Sequence, residues 1–125
     1  MAFFDIENAL QSALTTQGYN ACAKPLPATF TTPHIVVDML NAWEENAAQA
    51  IYSVDFDVRC DDYASAAQTQ DQIANWIMTL PGNSIGGVPC YLVDSLRLQR
   101  AQPDAAHPTL IMATVSANLR LRLAE

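Results

Sequence analysis

The sequence predicts an α+β domain: one mostly antiparallel sheet of four to five strands with two helices packed on one of its faces. Two long stretches, Ile51–Cys60 and Leu110–Leu123, alternate apolar and polar residues with a period of two, as half-buried strands do. Two others repeat their apolar residues every three or four positions, as helices with one buried stripe do. With 125 residues, half of them hydrophobic and 15% charged, the chain suits a single domain spanning 1–125 with a real core.

The first helix is carried by Ile6, Ala9, Leu10, Ala13 and Leu14. Asp5 stands at its N-cap, where a carboxylate accepts from the free N–H groups of the first turn, and Gly18 ends it. Tyr19 to Pro33 reads as irregular or short extended chain. Pro25, Pro27 and Pro33 donate no ladder hydrogen bond, so any strand there is an edge strand. Ile35–Leu40 is a β-branched strand, and Asn41 to Ala50 reads as a polar connection.

In the next strand Tyr52, Val54, Phe56, Val58 and Cys60 face inward and Ser53, Asp55, Asp57 and Arg59 outward. Asp61 or Asp62 caps a second helix reaching about Leu80, with Ala66, Ile73, Trp76, Ile77 and Leu80 on its buried face. Gln68, Gln70, Asp71 and Gln72 fill much of the rest. Pro81-Gly82 stops it and Asn83–Gly87 forms a loop. Strands over Tyr91–Arg100 and Leu110–Leu123 close the sheet, joined by the proline-bearing linker 101–108. In the last one Ile111, Ala113, Val115, Ala117, Leu119, Leu121 and Leu123 form the buried face.

Charge narrows the function classes. Thirteen acidic against six basic residues give −7, which repels phosphate backbones and disfavours stable wrapping around nucleic acid. No apolar run approaches a membrane span, and Met1-Ala2-Phe3-Phe4-Asp5 lacks the basic and apolar regions of a signal peptide. Cys22, Cys60 and Cys90 are widely spaced and odd in number, which suits reduced thiols rather than disulfides or a zinc site.

No constellation for catalysis or for a bound cofactor stands out. Asp55-Phe56-Asp57 sets two carboxylates about 7 Å apart on one strand face, but alternation alone accounts for them as a solvated face. His34 and His107 sit beside prolines with no short spacing to a cysteine or carboxylate. Ser84-Ile85-Gly86-Gly87 lacks the lysine and the following helix of a phosphate loop. The expectation is therefore no enzyme, no cofactor and no metal. Two features sit less easily. Asp94 shares a face with Leu92, Leu96 and Leu98, which the alternation expects to be buried; either the strand bulges there or its end is open. Trp43, with Glu44 and Glu45, either tucks back onto the core or contacts a partner.

Taken together, the helix 6–16, the strand Ile35–Leu40 entering a projecting loop, the strand Ile51–Cys60 running into Tyr63-Ala-Ser-Ala-Ala and the closing hairpin ending Leu119-Arg-Leu-Arg-Leu123 form a layout. This layout resembles the tail terminator (tail-completion) proteins of long-tailed phages along nearly the whole chain. The resemblance implies a homo-oligomeric ring, commonly of six, that caps the tail tube, ends its polymerisation and joins the tail to the head. Its partners would be further copies of itself, the tail tube protein and the head-completion or stopper protein. Its place would be the virion neck, after assembly in the host cytoplasm, with no membrane. Six copies would carry about −42, so genomic DNA would pass through without specific binding. A head-completion or stopper protein is the alternative within the same neck; a small ligand-binding domain or enzyme is the alternative from another class.

Four of the six basic residues, Arg97, Arg100, Arg120 and Arg122, lie in the last two strands, whereas Glu44, Glu45 and 55–62 gather acids. A ring interface joins two different patches, so the sequence reading sets this arginine face against an acidic surface of the next subunit. Reversing Arg120 and Arg122 is then expected to abolish rings and leave the fold intact.

Overall fold

The computed structural model describes residues 4–123. Of the chain start read for a signal peptide, Met1-Ala2-Phe3 lies outside them. The fold is α+β, with two helices and one six-stranded mixed sheet curled into a half-barrel. The elements are α1 (Ile6–Thr16), β1 (Asn20–Ala23), β2 (His34–Asn46), β3 (Gln49–Cys60), α2 (Tyr63–Ile77), β4 (Ser84–Ile85), β5 (Val88–Pro103) and β6 (Ile111–Arg122). The sheet order is β1-β2-β3-β6-β5-β4.

Four strands are those expected; β2, β3 and β5 are longer, and β6 is shorter by one residue at each end. The four-to-five count falls short because both edges carry a short extra or irregular strand. β1 lies at the edge, as its neighbouring prolines require, and runs parallel to β2, which makes the sheet mixed. β4 pairs with β5 through a two-residue turn, Gly86-Gly87, in the segment expected to be a plain loop. Both glycines have positive φ, the conformation that two-residue hairpins favour. At Gly86 a Cβ would come within 2.9 Å of the Ala9 side chain, so α1 can settle on this turn only against glycine.

The helices begin where the sequence places them. The Asp5 and Asp62 carboxylates accept from the N–H groups of Asn8 and Ser65. Gly18, at φ +93°, follows α1. Ile6, Leu10 and Leu14 of α1 and Ala66, Ile73 and Ile77 of α2 join the inward residues of β3 and β6 in one core. All seven inward residues expected on the last strand are buried, Leu123 just beyond the end of β6. Phe56 is fully buried and meets Trp76 edge to face, with centroids 6.4 Å apart. Gln70, expected on the polar side of α2, is instead buried, and its amide donates to the carbonyls of Gln99 (2.6 Å) and Thr114 (2.9 Å).

Two expectations need correction. Asn41 to Ala50 is no polar connection: β2 runs on to Asn46 and β3 starts at Gln49, so Trp43, Glu44 and Glu45 are strand residues. Because β3 stays paired with β6 as far as Gln49–Arg122, this hairpin end is part of the sheet rather than a free projecting loop. The second correction concerns β5, where Leu92 and Leu98 are exposed. The register to β6 shifts three times, between Cys90 and Leu92, Asp94 and Arg97, and Gln99 and Gln102. Each extra residue turns the following side chains to the other face. The residues of β5 that pack on the core are therefore Val88, Cys90, Val93, Leu96 and Ala101, separated by odd intervals from Cys90 onward.

Candidate assembly surface

The sheet face away from the helices is where the singled-out residues gather. Across it runs a row in register: Trp43 on β2, Ile51 on β3, Arg120 on β6 and Leu92 on β5. Ile51 is buried although it belongs to this outer face, flanked on its two sides by Trp43 and Arg120. Trp43 stays 41% exposed, so it neither enters the core nor stands free of the sheet.

Arg120 is the hub of this end. Its Nε donates to Asp94 Oδ2 at 2.8 Å and its Nη1 to Glu45 Oε2, while the Tyr91 hydroxyl donates to the other Glu45 oxygen. The guanidinium thus ties β6 to its neighbour β5 and, across β3, to β2. The hydrogen bond to Asp94 first, and Glu45 after it, push the Arg120 pKa above its ordinary value. Burial and the Glu45 carboxylate push the Tyr91 phenol upward. Asp94, the residue that did not fit the alternation, is thus a partner for Arg120 beside a bulge, with Ser95 at φ +54°.

Of the residues expected at an interface, the fold brings together Trp43, Glu45 and Arg120. It leaves Glu44 on β2, Arg97 and Arg100 on β5 and Arg122 on β6 exposed and without an ion pair or side-chain hydrogen bond. The sequence reading missed Tyr91, whose hydroxyl is brought to Glu45 only by the register, and Leu40, pushed out at a bulge of β2.

Midway along the same face lies an open groove of about 580 Å³. Its floor holds Asp55 and Ser116, joined by a 2.6 Å hydrogen bond; one rim is Leu40 and the other Arg97, Leu98 and Gln99. Asp57 accepts from Thr114 on the next pair of the ladder. Burial raises the Asp57 pKa against the opposing pull of Thr114 and Arg59. The Asp55 and Asp57 carboxylates are thus held by cross-strand hydroxyls. Among the described residues no group of three or more His, Cys, Asp or Glu side chains is placed to hold a metal ion.

At the far end of the sheet a second polar cluster forms, which the sequence spacing did not reveal. His34 Nε2 lies 3.3 Å from Cys22 Sγ, and Arg59 Nε donates to Asp104 Oδ2 at 2.9 Å, with His107 Nδ1 at 3.2 Å from the same oxygen. The Phe30 ring packs between the two imidazoles. Burial raises the Cys22 thiol, and burial together with Arg59 lowers the His34 pKa. A reactive thiolate–imidazolium pair needs the opposite shifts, so the pair is a neutral contact joining β1 to β2. Burial also works against ionisation of Asp104. The Arg59 hydrogen bond, the Ala106 N–H and His107 outweigh it and hold the carboxyl below the usual range.

No helix among the described residues is long and apolar enough to cross a membrane. In comparison with known proteins, no family model and no curated protein matches the chain.

Proposed function

We propose that this chain is a structural subunit of a phage neck, a tail terminator whose copies form a ring on the tail tube, end its growth and present a surface to the head. The observation that carries the reading is the sheet surface away from the helices, where Leu40 (55% exposed) stands at the rim of the groove and Leu92 (43%) and Trp43 (41%) stand in the row at the end of the sheet, with Leu98 (49%) on β5 beside the groove. Grouped exposed apolar side chains of this size mark protein–protein contacts. The layout that prompted the resemblance supports it too: a capped N-terminal helix, a long alternating strand leading into α2 and a closing hairpin. The acidic balance suits a ring through which DNA slides without sticking. The function asks nothing of catalysis or of a cofactor, and the neutral Cys22–His34 pair lends the enzyme alternative little.

Light scattering after size exclusion, with negative-stain imaging, tests the reading. The expected result is a ring of defined number with a central opening; added to a polymerising tail tube protein, it stops elongation at one end. A chain that is monomeric at tens of micromolar and leaves tube length unchanged would refute it. Rings that bind portal-side connector proteins but not tubes would move the chain to the head-completion or stopper role.

A further inference from the structure

We infer that the β5 rim of the groove receives the exposed side of α2, with Asp71 on it and Asp61 just ahead of its cap, from a second copy of this chain. The inference rests on the ring reading and names the two patches that make the ring. Internal pairing removes half of the six cations: Lys24 pairs with Asp38, Arg59 with Asp104, and Arg120 with Asp94 and Glu45. Among the described residues Arg97, Arg100 and Arg122 remain as cations with no ion pair, and two of these stand on β5.

The same subtraction applied to the carboxylates of the described residues leaves Glu44, Asp61 and Asp71 without a hydrogen bond or ion pair among them. Glu44 belongs to β2, on the strand that forms the opposite rim of the groove. Its register partner is Ala50, whose side chain lies in the core, so Glu44 points away from the groove face and stands there as a single charge. Asp61 and Asp71 flank the exposed side of α2, which covers the other face of the sheet. A copy can therefore offer its groove to one neighbour and its helix to another at the same time, as a closed ring demands. The apolar parts match as well: Tyr63, 54% exposed at the start of α2, faces solvent as Leu40 and Leu98 do on the rims. Charge separation of this kind sets the register and rejects other pairings.

Charge reversal on each patch, alone and mixed, tests the assignment. One variant carries Arg97→Glu and Arg100→Glu, the other Asp61→Lys and Asp71→Lys; Asp62, the α2 cap, is left intact. Each alone opposes like charges and is expected to weaken assembly at least ten-fold in sedimentation velocity, with circular dichroism and melting unchanged. Mixed one to one, each reversed patch finds its complement on the other variant, and even-membered rings of alternating chains are expected to return. If a reversed variant fails to fold, Arg97→Gln with Arg100→Gln and Asp61→Asn with Asp71→Asn give the same weakening without the rescue. Wild-type rings that survive either reversal, or reversed variants that do not reassemble when mixed, overturn this interface and leave the ring reading standing. A wild-type chain that is monomeric overturns both.

Discussion

Replacing Gln70 by Met removes a bridge that holds α2 to the most irregular part of the sheet. The Gln70 amide donates to the Gln99 carbonyl on β5 and to the Thr114 carbonyl on β6, beside the register shift that follows Gln99. Methionine has nearly the same length, volume and helix propensity, so packing and helix formation are kept and only the two hydrogen bonds go. The two carbonyls then fare differently. Thr114 is buried and its carbonyl loses a partner that water cannot replace, which costs about 1–3 kcal/mol. Gln99 is exposed, so its carbonyl is rehydrated and the loss is about 1 kcal/mol or less. The sum is about 1–4 kcal/mol, read as a lower urea midpoint at unchanged slope. A loss below about 0.5 kcal/mol would mean that the bridge contributes nothing and that the bulge is held by its own ladder.

Phe56→Ala empties a fully buried site on a central strand and removes the edge-to-face contact with Trp76, so it is expected to cost about 3–5 kcal/mol in denaturant unfolding. A cost under 1 kcal/mol would contradict the inward face of β3. His34 is held neutral by burial and by Arg59, with its pKa below the ordinary value. The unfolded chain therefore takes up a proton near pH 6.5 that the folded chain refuses. Stability is complete above that pH and falls as pH drops through the folded pKa, so the urea midpoint declines from pH 7.5 to 5.5 and His34→Gln flattens the decline. A flat wild-type profile would show His34 free to protonate. Arg120→Glu sets a third carboxylate between Asp94 and Glu45 and lowers the melting temperature, whereas Arg122→Glu, exposed and without an ion pair, leaves it unchanged. Equal melting of both variants would refute the hub role of Arg120 and restore the sequence expectation that reversing both arginines spares the fold.

β3 and β6 were legible because both lie inside the sheet, paired on two sides, with one face on the core. Register there is unbroken from Gln49–Arg122 to Cys60–Ile111, and so period two survives intact in the sequence. β5 was misread for the converse reason. On one side it is held only by β4 over Ser84–Pro89 and Ile85–Val88, and its three bulges scramble a pattern that presumes none. Gln70 looked like a surface residue because nothing local announces that two distant carbonyls await its amide. The hairpin of β2 and β3 hid behind polar letters, since Glu44, Glu45 and Asn46 are exposed residues at the end of a strand rather than of a loop.

The candidate surface was half legible for a related reason. Composition and spacing pointed to the arginines of the last two strands and to Trp43, Glu44 and Glu45, and these residues do share one sheet. Which charges remain available to a partner depends on pairings that join Glu45 to Arg120 across 75 positions, and only the register fixes those. In a chain with about two acids for each base, Arg120 finds Asp94 one strand away and Arg59 finds Asp104 just past the end of β5. Among the described residues Arg97 and Arg100, on the bulged part of β5, have no ion pair. The strand whose register defeated the sequence pattern is thus also one that offers another molecule two cations without an internal partner.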